Sequence, residues 1–138
     1  MLSSSRFVVA IHALSVLARS DKKGPVCSAT IAESVHTNPV VIRRMMAELE
    51  RAGLVRSVSG RCGGFALHRD ADEITLADIY LAIEGENVFR MHNVDPNTKC
   101  PVALQVKNVL ATPFRNAEAA LSASLAKTSL HDVTTAFH

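Results

Sequence analysis

Apolar residues recur every three to four positions along most of the chain, a spacing that predicts helices. The first such stretch is residues 5–19. Its apolar residues on one helical face are Phe7, Ile11, Leu14 and Ala18. After a loop at 20–26, a shorter second helix is predicted to begin with Ser28 as its cap. The chain is therefore expected to open with two amphipathic helices.

Asn38 and Pro39 predict the start of a third helix, because asparagine is a favoured N-cap and proline suits the first helical turn. This helix is expected to run to about Ala52 and to stop at Gly53. Its predicted buried stripe is Val41, Met45, Leu49 and Ala52. Its opposite face presents Val40, Arg43, Arg44 and Arg51.

Two short apolar stretches follow, at 54–58 and 65–68, and they are predicted to form strands. The residues between them are rich in glycine and predict a flexible hairpin tip. The order of helix, turn, helix and glycine-tipped hairpin is typical of a winged helix-turn-helix, a module that reads DNA. The predicted fold class is therefore mainly α, with a small β-hairpin wing.

Two later positions carry capping boxes, in which a hydroxyl side chain and an acid three residues on satisfy each other's backbone N–H groups. Thr75 with Asp78 predicts the start of a fourth helix, and Ser129 with Asp132 predicts a last short one. A long polar linker follows the fourth helix, and loops of that length are often functional.

A long helix is predicted from Pro101, where apolar residues recur at helical spacing over roughly 24 residues, or about 36 Å. So long an apolar stripe needs a partner, and the simplest is a second copy of the chain in a twofold dimer. Pro113 is expected to kink or divide this helix. The predicted organisation is a winged-helix domain, a sensor loop and a dimerisation arm, at 1–84, 85–100 and 101–138.

Arginine is concentrated in residues 38–69, which hold six arginines against Glu48 and Glu50, a net +4 in a chain whose total charge is +2. A local basic face on a nearly neutral protein predicts nucleic-acid binding. Two alternatives stay open. Arg51 and Arg56 can pair with the two glutamates on a merely solvated surface, or the winged helix can bind proteins without touching DNA.

The predicted contacts follow from groove geometry, because an α-helix fits the major groove and arginine matches guanine edges and phosphates. Arg43 and Arg44 lie in the part of the third helix expected nearest the bases. Asn38 and its neighbouring backbone N–H groups are expected to hold a phosphate. The full predicted DNA-contacting set is Ser28, Thr30, Asn38, Pro39, Val40, Arg43, Arg44, Arg51, Arg56, Ser59 and Arg61.

The chain has three widely spaced cysteines, which indicate no disulfide framework and fit a reducing cytoplasm. Cys100 stands before a predicted helix start, which favours a reactive thiolate. It is the first candidate for a redox sensor, joined by Cys27 or by a thiol of a partner chain; the alternative is a small buried hydrophobe. Cys62 lies in the wing, where its oxidation could weaken DNA binding, or it is an incidental exposed thiol.

Other classes of protein are poorly supported by the sequence. No stretch reaches the roughly 18 apolar residues of a membrane span. His92 and Cys100 are too few ligands for a structural zinc site, so no metal is expected. A hydrolase built on the same two residues would lack an orienting acid and an oxyanion-hole pattern, so the chain is predicted not to be an enzyme.

Three parts of the chain carry a family resemblance: residues 6–12, residues 49–55 with 59–67 in the wing, and residues 74–79 followed by Ile83 and Glu84. Together they resemble the Rrf2 family of bacterial winged-helix transcriptional regulators, the type that includes IscR, NsrR and CymR. The resemblance covers nearly the whole chain. The stretch from His92 to Val102 is similar to the YwnA-like branch of the family.

This resemblance implies a homodimer joined through the long helix, bound to a palindromic operator in double-stranded DNA, usually as a repressor. It also implies a sensor in the loop before that helix, where many members hold an iron–sulfur cluster on three cysteines. Here that loop has only Cys100, so no cluster is expected. Ser59 replaces an arginine usual in the wing, and Arg61 is expected to take over. The effector, an oxidant or a small molecule, stays open.

Overall fold

A computed structural model describes residues 5–85 and 88–137 of the chain. In this part of the chain, helices precede and follow a two-stranded antiparallel sheet. The elements are α1 (Arg6–Arg19), α2 (Ser28–Val35), α3 (Pro39–Arg51), β1 (Val55–Val58), β2 (Gly64–Leu67), α4 (Leu76–Glu84), α5 (Pro101–Leu125) and α6 (Leu130–Thr135).

The order of elements confirms the predicted fold class, a mainly helical chain with a β-hairpin wing. α2 ends at His36, whose left-handed backbone (φ 67°) turns the chain towards α3. β1 pairs with β2 in a register that runs from Val55 opposite Leu67 to Val58 opposite Gly64. The helix-turn-helix and the hairpin are therefore adjacent, as in a winged helix.

The predicted helix starts are confirmed where a local cap specifies them. The Asn38 side chain accepts a backbone N–H at 2.8 Å at the start of α3. Thr75 with Asp78, and Ser129 with Asp132, each form both hydrogen bonds of a capping box. Since each cap satisfies donors that the first helical turn leaves unpaired, these starts are specified by a few adjacent residues.

The start of α2 differs from the prediction, because Cys27 and not Ser28 is the N-cap residue. Val26 forms an isolated antiparallel bridge with Phe65, which keeps the chain extended up to Cys27. Ser28 therefore falls in the first turn of the helix. No side-chain hydrogen bond caps α2.

The buried stripe of α3 also differs from the prediction. Val41 is 43% exposed and Ala52 lies at the surface, past the end of the helix. The predicted and observed stripes share Met45 and Leu49. The observed stripe is rotated about the helix axis, so that Ile42 packs inwards in place of Val41. The buried residues of α3 are Ile42, Met45, Met46 and Leu49.

The last helix returns to the core and is not part of an arm. Leu130 is fully buried in the same cluster as Leu14, Ile31 and Ile42. Its N–H donates to the carbonyl oxygen of Ile74 at 2.7 Å, which ties α6 to the segment before α4. Of the segment 101–138 that the sequence predicts as an arm, α6 therefore packs in the core, while α5 has no buried residue.

α5 is a single helix of 25 residues, or about 37 Å, and none of its residues is buried. It runs through Pro113 without interruption, so the predicted division in two does not occur. Pro113 removes one backbone donor, but the turns on both sides of it remain helical. Large apolar side chains stand exposed along it at Val102 (72%), Leu104 (60%) and Val109 (65%).

Candidate nucleic-acid interface

The exposed face of α3 lies opposite its buried stripe. Val40, Arg44, Ala47 and Arg51 are three or four residues apart, and all four are exposed. Sequence reasoning missed Ala47, although its place on this spacing could have identified it. Its small side chain at the middle of the face allows close approach to a surface as large as a DNA groove.

The two glutamates of α3 are engaged elsewhere. Glu48 forms an ion pair with Arg6 of α1. Glu50 accepts hydrogen bonds from both the N–H and the hydroxyl of Ser57, each at 2.7 Å. The Ser57 hydroxyl, and then its N–H, hold the pKa of Glu50 below its ordinary value. Glu50 therefore stays ionised and links the end of α3 to the wing.

All five arginines of the predicted set stand without an acidic partner in the described part of the chain, and Arg43 alone among them bonds another side chain, the Ser28 hydroxyl. The described ion pairs are Arg6 with Glu48 and Arg69 with Asp78. The alternative in which Glu48 and Glu50 neutralise neighbouring arginines is therefore contradicted. Arg69 pairs with Asp78 of α4 and is therefore not part of the basic face. The arginines of the predicted set without an ion pair are Arg43, Arg44, Arg51, Arg56 and Arg61.

The uncapped start of α2 is suited to bind an anion. The N–H groups of its first turn have no intrahelical acceptor, and the positive end of the helix dipole lies there. Arg43 of α3 donates to the Ser28 hydroxyl at 3.3 Å, which places a guanidinium beside this helix start. Ser28, Thr30 and Arg43 of the predicted set therefore lie together.

The start of α3, in contrast, is already occupied by its own cap. The Val40 N–H donates to the Asn38 side chain, and the Val41 N–H donates to the Asn38 carbonyl oxygen at 3.0 Å. Pro39 has no N–H to offer. The backbone donors that the sequence analysis assigned to a phosphate here are consumed, and the Asn38 amide NH₂ is the remaining donor.

The wing is held against the start of α2 by backbone contact. Val26 and Phe65 exchange two N–H···O bonds, at 2.9 and 2.8 Å. A β-carbon on Gly64 would lie 2.3 Å from the Val26 carbonyl oxygen, and one on Gly63 would lie 2.2 Å from that of Val58. These glycines permit a close approach of two backbones, which is a stricter role than the flexible tip predicted from composition.

The wing tip, the loop before α2 and the start of α2 enclose a depression of about 440 Å³. Arg61 and Lys23 line it together with Thr30. Sequence reasoning left Lys23 in an unassigned loop, although the Lys22-Lys23 pair so close to a helix start is a detectable signal. Two cations therefore line the same depression as the start of α2.

The three cysteines are free and exposed. Cys100 is the N-cap of α5, and its N–H donates to the Thr98 hydroxyl at 3.2 Å. The alternative of Cys100 as a buried hydrophobe is therefore contradicted. Cys27 and Cys62 both line the depression beside the wing tip. No group of three metal-ligating side chains occurs within residues 5–85 and 88–137.

The helix-turn-helix has unpaired arginines on its second helix and an uncapped start on its first, and a wing lies beside it. These features define a DNA-binding winged-helix protein. The model of the Rrf2 family, described as an iron-dependent transcriptional regulator, matches residues 3–136. The chain therefore belongs to the Rrf2 family of transcriptional regulators. This is a family of regulators and not of enzymes, as the sequence predicted.

Individual relatives agree with this assignment. The chain is 40% identical over 131 residues to YwnA of Bacillus subtilis, which is named as an HTH-type transcriptional regulator, and the match covers 94% of this chain and 95% of YwnA. A crystal structure described as that of a DNA-binding protein is 37% identical, with a TM-score of 0.73, over 94% of this chain and 98% of that one. The CymR structure from Bacillus subtilis shares the fold, with a TM-score of 0.71 at 23% identity over 98% and 97% of the two chains.

The residues present do not fit the iron–sulfur cluster found in part of this family. Such a cluster needs a thiolate or a rare substitute at every iron site, and the loop before α5 offers Cys100 alone. His92 in the same loop is exposed. One thiol and one imidazole make an incomplete ligand set. Separately, none of the described helices is long and apolar enough to cross a membrane.

Proposed function

We propose that the protein is a sequence-specific repressor that binds a palindromic operator as a homodimer. The observation that carries this proposal is the charge arrangement of α3, whose glutamates are bound elsewhere while Arg44 and Arg51 remain unpaired on one exposed face. Unpaired guanidinium groups are available for guanine edges and phosphates. We expect the protein to act in the cytoplasm, where operator DNA lies.

Each part of the interface has a distinct expected role. α3 enters the major groove, where Arg44 contacts base edges and Val40 and Ala47 allow close approach. The N–H groups at the start of α2, with Arg43, bind a backbone phosphate. Arg61 of the wing contacts the adjacent backbone or minor groove. The α3 face is thus expected to specify sequence, and the other two to position the module.

Replacing Arg44 by alanine is expected to weaken operator binding by about 1–3 kcal/mol, or roughly 5- to 150-fold, and to relax preference at one base position. Arg61→Ala is expected to weaken binding to all sequences alike and to lower the salt dependence by about one phosphate contact. Fluorescence anisotropy on a labelled duplex at several salt concentrations measures both effects.

The matched control for these variants is Arg69→Ala. Arg69 lies away from the interface, and its guanidinium pairs with the Asp78 carboxylate at 3.3 Å. Its affinity is expected to stay within about twofold of the unsubstituted protein. If Arg44→Ala and Arg61→Ala bind DNA as well as Arg69→Ala does, the interface is misassigned. The surface would then fit a winged helix that contacts proteins.

The exposed apolar side chains of α5 support the dimer. Val102, Leu104 and Val109 are each at least 60% exposed on a helix that has no buried residue of its own. Burial of such side chains against a second copy contributes about 25 cal/mol per Å² of apolar area. A twofold dimer through α5 also sets two winged helices at a fixed spacing, near one DNA turn of about 34 Å.

Replacing Val109 by glutamate is expected to convert the dimer to a monomer, because Val102 and Val109 lie seven residues apart on one exposed face and the carboxylate would be buried in the interface. Sedimentation equilibrium should then give 14.9 kDa in place of twice that mass. Asn108→Glu adds the same charge at an exposed position on another face and should stay dimeric. A monomeric unsubstituted protein, or a dimeric Val109→Glu variant, would contradict the α5 interface.

We further propose that the regulator works without an iron–sulfur cluster, because its loop lacks the ligands. Its effector is then an oxidant or a small molecule. Val88 donates its N–H to Glu118 at 3.1 Å, and Phe89 stacks on Phe114 with ring centroids 4.3 Å apart. The beginning of the loop is thus packed on α5. A change in the loop when the effector acts can therefore shift α5 and alter the geometry of the proposed dimer. A coupling of about 1–3 kcal/mol would suffice.

A further inference from the structure

Two of the three thiols lie together on the DNA-facing side of the molecule. Cys27 and Cys62 are both exposed and both line the depression of about 440 Å³ between the start of α2 and the wing tip. Arg61 and Lys23 line the same depression. Cys100 does not, because it stands at the start of α5. The depression is therefore a cluster of two nucleophilic side chains and two cations.

The fold, and not sequence proximity, holds the two thiols in this place. Val26, next to Cys27, exchanges two backbone hydrogen bonds with Phe65, and Gly64 packs directly against the backbone of residues 26 and 27. The Gly63 N–H donates to the Gly60 carbonyl oxygen at 3.1 Å, which closes the turn that carries Cys62. The segments that carry the two thiols are therefore each fixed by backbone hydrogen bonds.

Cys27 has the features of the more reactive thiol. Its sulfur lies 3.2 Å from the Thr30 hydroxyl, at the uncapped start of α2. The Thr30 hydroxyl, and then backbone N–H groups of the first turn, lower the pKa of the Cys27 thiol. The thiolate is the nucleophile, so a lowered pKa and an exposed position increase its rate of oxidation.

We propose that Cys27 and Cys62 form a peroxide-sensitive thiol pair that controls the DNA-binding surface. The Cys27 thiolate attacks hydrogen peroxide; an S–O bond forms, the O–O bond breaks, and the hydroxide released takes up a proton to become water. The Cys62 thiol then attacks the sulfenic acid; an S–S bond forms, the S–O bond breaks, and a second water leaves with the Cys62 proton. The peroxide is reduced by two electrons, which the two thiols supply.

The disulfide would change the interface at its anion-binding part, a consequence that rests on the proposed function. It would tie the wing tip to the start of α2 and place a covalent bridge beside the N–H groups that are expected to bind a phosphate with Arg43. The loss of these charge-assisted contacts is expected to lower operator affinity about tenfold or more. Reduction by dithiothreitol would restore it.

The test treats the full-length protein with hydrogen peroxide and reads intact mass and tryptic peptides. The unsubstituted protein and Cys100→Ser should each lose two hydrogen atoms and yield one linked peptide pair that joins Cys27 to Cys62. Cys62→Ser should stop at a sulfenic acid on Cys27, trapped by dimedone. Cys27→Ser should oxidise far more slowly. A disulfide requires Cα atoms within about 7 Å, so the link also reports how near the wing tip comes to α2.

Oxidation that begins at Cys100, or the absence of a Cys27–Cys62 link, would overturn the proposal. A link that leaves operator affinity unchanged would overturn its regulatory part. Because the link is read by mass and not by DNA binding, a protein that binds no DNA in either state would contradict the proposed function alone. The mass result would still decide whether the thiol pair exists.

Discussion

The Gly64→Ala variant is expected to lose about 2–4 kcal/mol of unfolding free energy and most of its DNA affinity. The new β-carbon would lie 2.3 Å from the carbonyl oxygen of Val26 and 2.7 Å from the backbone nitrogen of Cys27. Both are main-chain atoms, so they cannot move aside like the end of a side chain. Relief requires breaking the Val26–Phe65 bridge, and the wing then separates from α2.

The matched control is Gly60→Ala, at the other end of the same hairpin tip. Gly60 also has a positive φ, of 104°, but a β-carbon there would meet nothing within 4 Å. This variant carries backbone strain alone and is expected to cost about 1–2 kcal/mol. Urea denaturation measures both variants. Equal losses for Gly60→Ala and Gly64→Ala would show that close approach of the wing to α2 contributes nothing.

Leu130→Ala is expected to destabilise the protein by about 3–5 kcal/mol, because it removes a fully buried side chain and leaves a cavity. The cavity would lie between α6 and the core residues of α1. Thermal or urea denaturation measures the loss. The result matters for function because α6 follows α5 directly and fixes where the long helix leaves the DNA-binding domain.

The control for this variant is His131→Ala, which changes the next residue of the same helix at an exposed position. It is expected to change the unfolding free energy by no more than about 0.5 kcal/mol. A loss below about 1 kcal/mol for Leu130→Ala would contradict the packing of α6 in the core. α6 would then be part of the arm that the sequence predicts at 101–138.

The parts of the fold that sequence predicted well are those decided by neighbouring residues. Asn38 with Pro39, Thr75 with Asp78, and the Ser129 box each specify a helix start by bonds within four residues. The hairpin likewise follows from two apolar stretches around a glycine-rich turn. Such local signals survive in almost any tertiary setting, because they satisfy backbone groups that every helix or turn leaves unpaired.

The parts that differed depend on contacts between distant residues. The start of α2 moved because Val26 pairs with Phe65, 39 residues further on. The buried stripe of α3 was rotated from Val41 towards Ile42 by packing against other helices. Leu130 was assigned to an arm because its capping box says where a helix begins and nothing about what it packs against.

In the candidate site, too, some features follow from the local sequence and others from contacts between distant residues. Sequence selected the arginines, but which of them are unpaired depends on Arg6 reaching Glu48 and on Ser57 binding Glu50. It also named Cys27 and Cys62 separately, and only the folded chain places both in one depression. Residue types and helical spacing thus predict which groups are available, while long-range packing decides which of them are brought together.

The most direct test of the central claim is selection of double-stranded DNA from a random-sequence pool by the reduced protein, repeated with Arg44→Ala. We predict enrichment of a palindrome whose half-sites lie about one helical turn, or 34 Å, apart, and loss of that enrichment in the variant. Arg69→Ala should enrich the same palindrome. Failure of the unsubstituted protein to enrich any sequence, or identical enrichment by Arg44→Ala, would contradict the assignment of the α3 face as the surface that reads DNA.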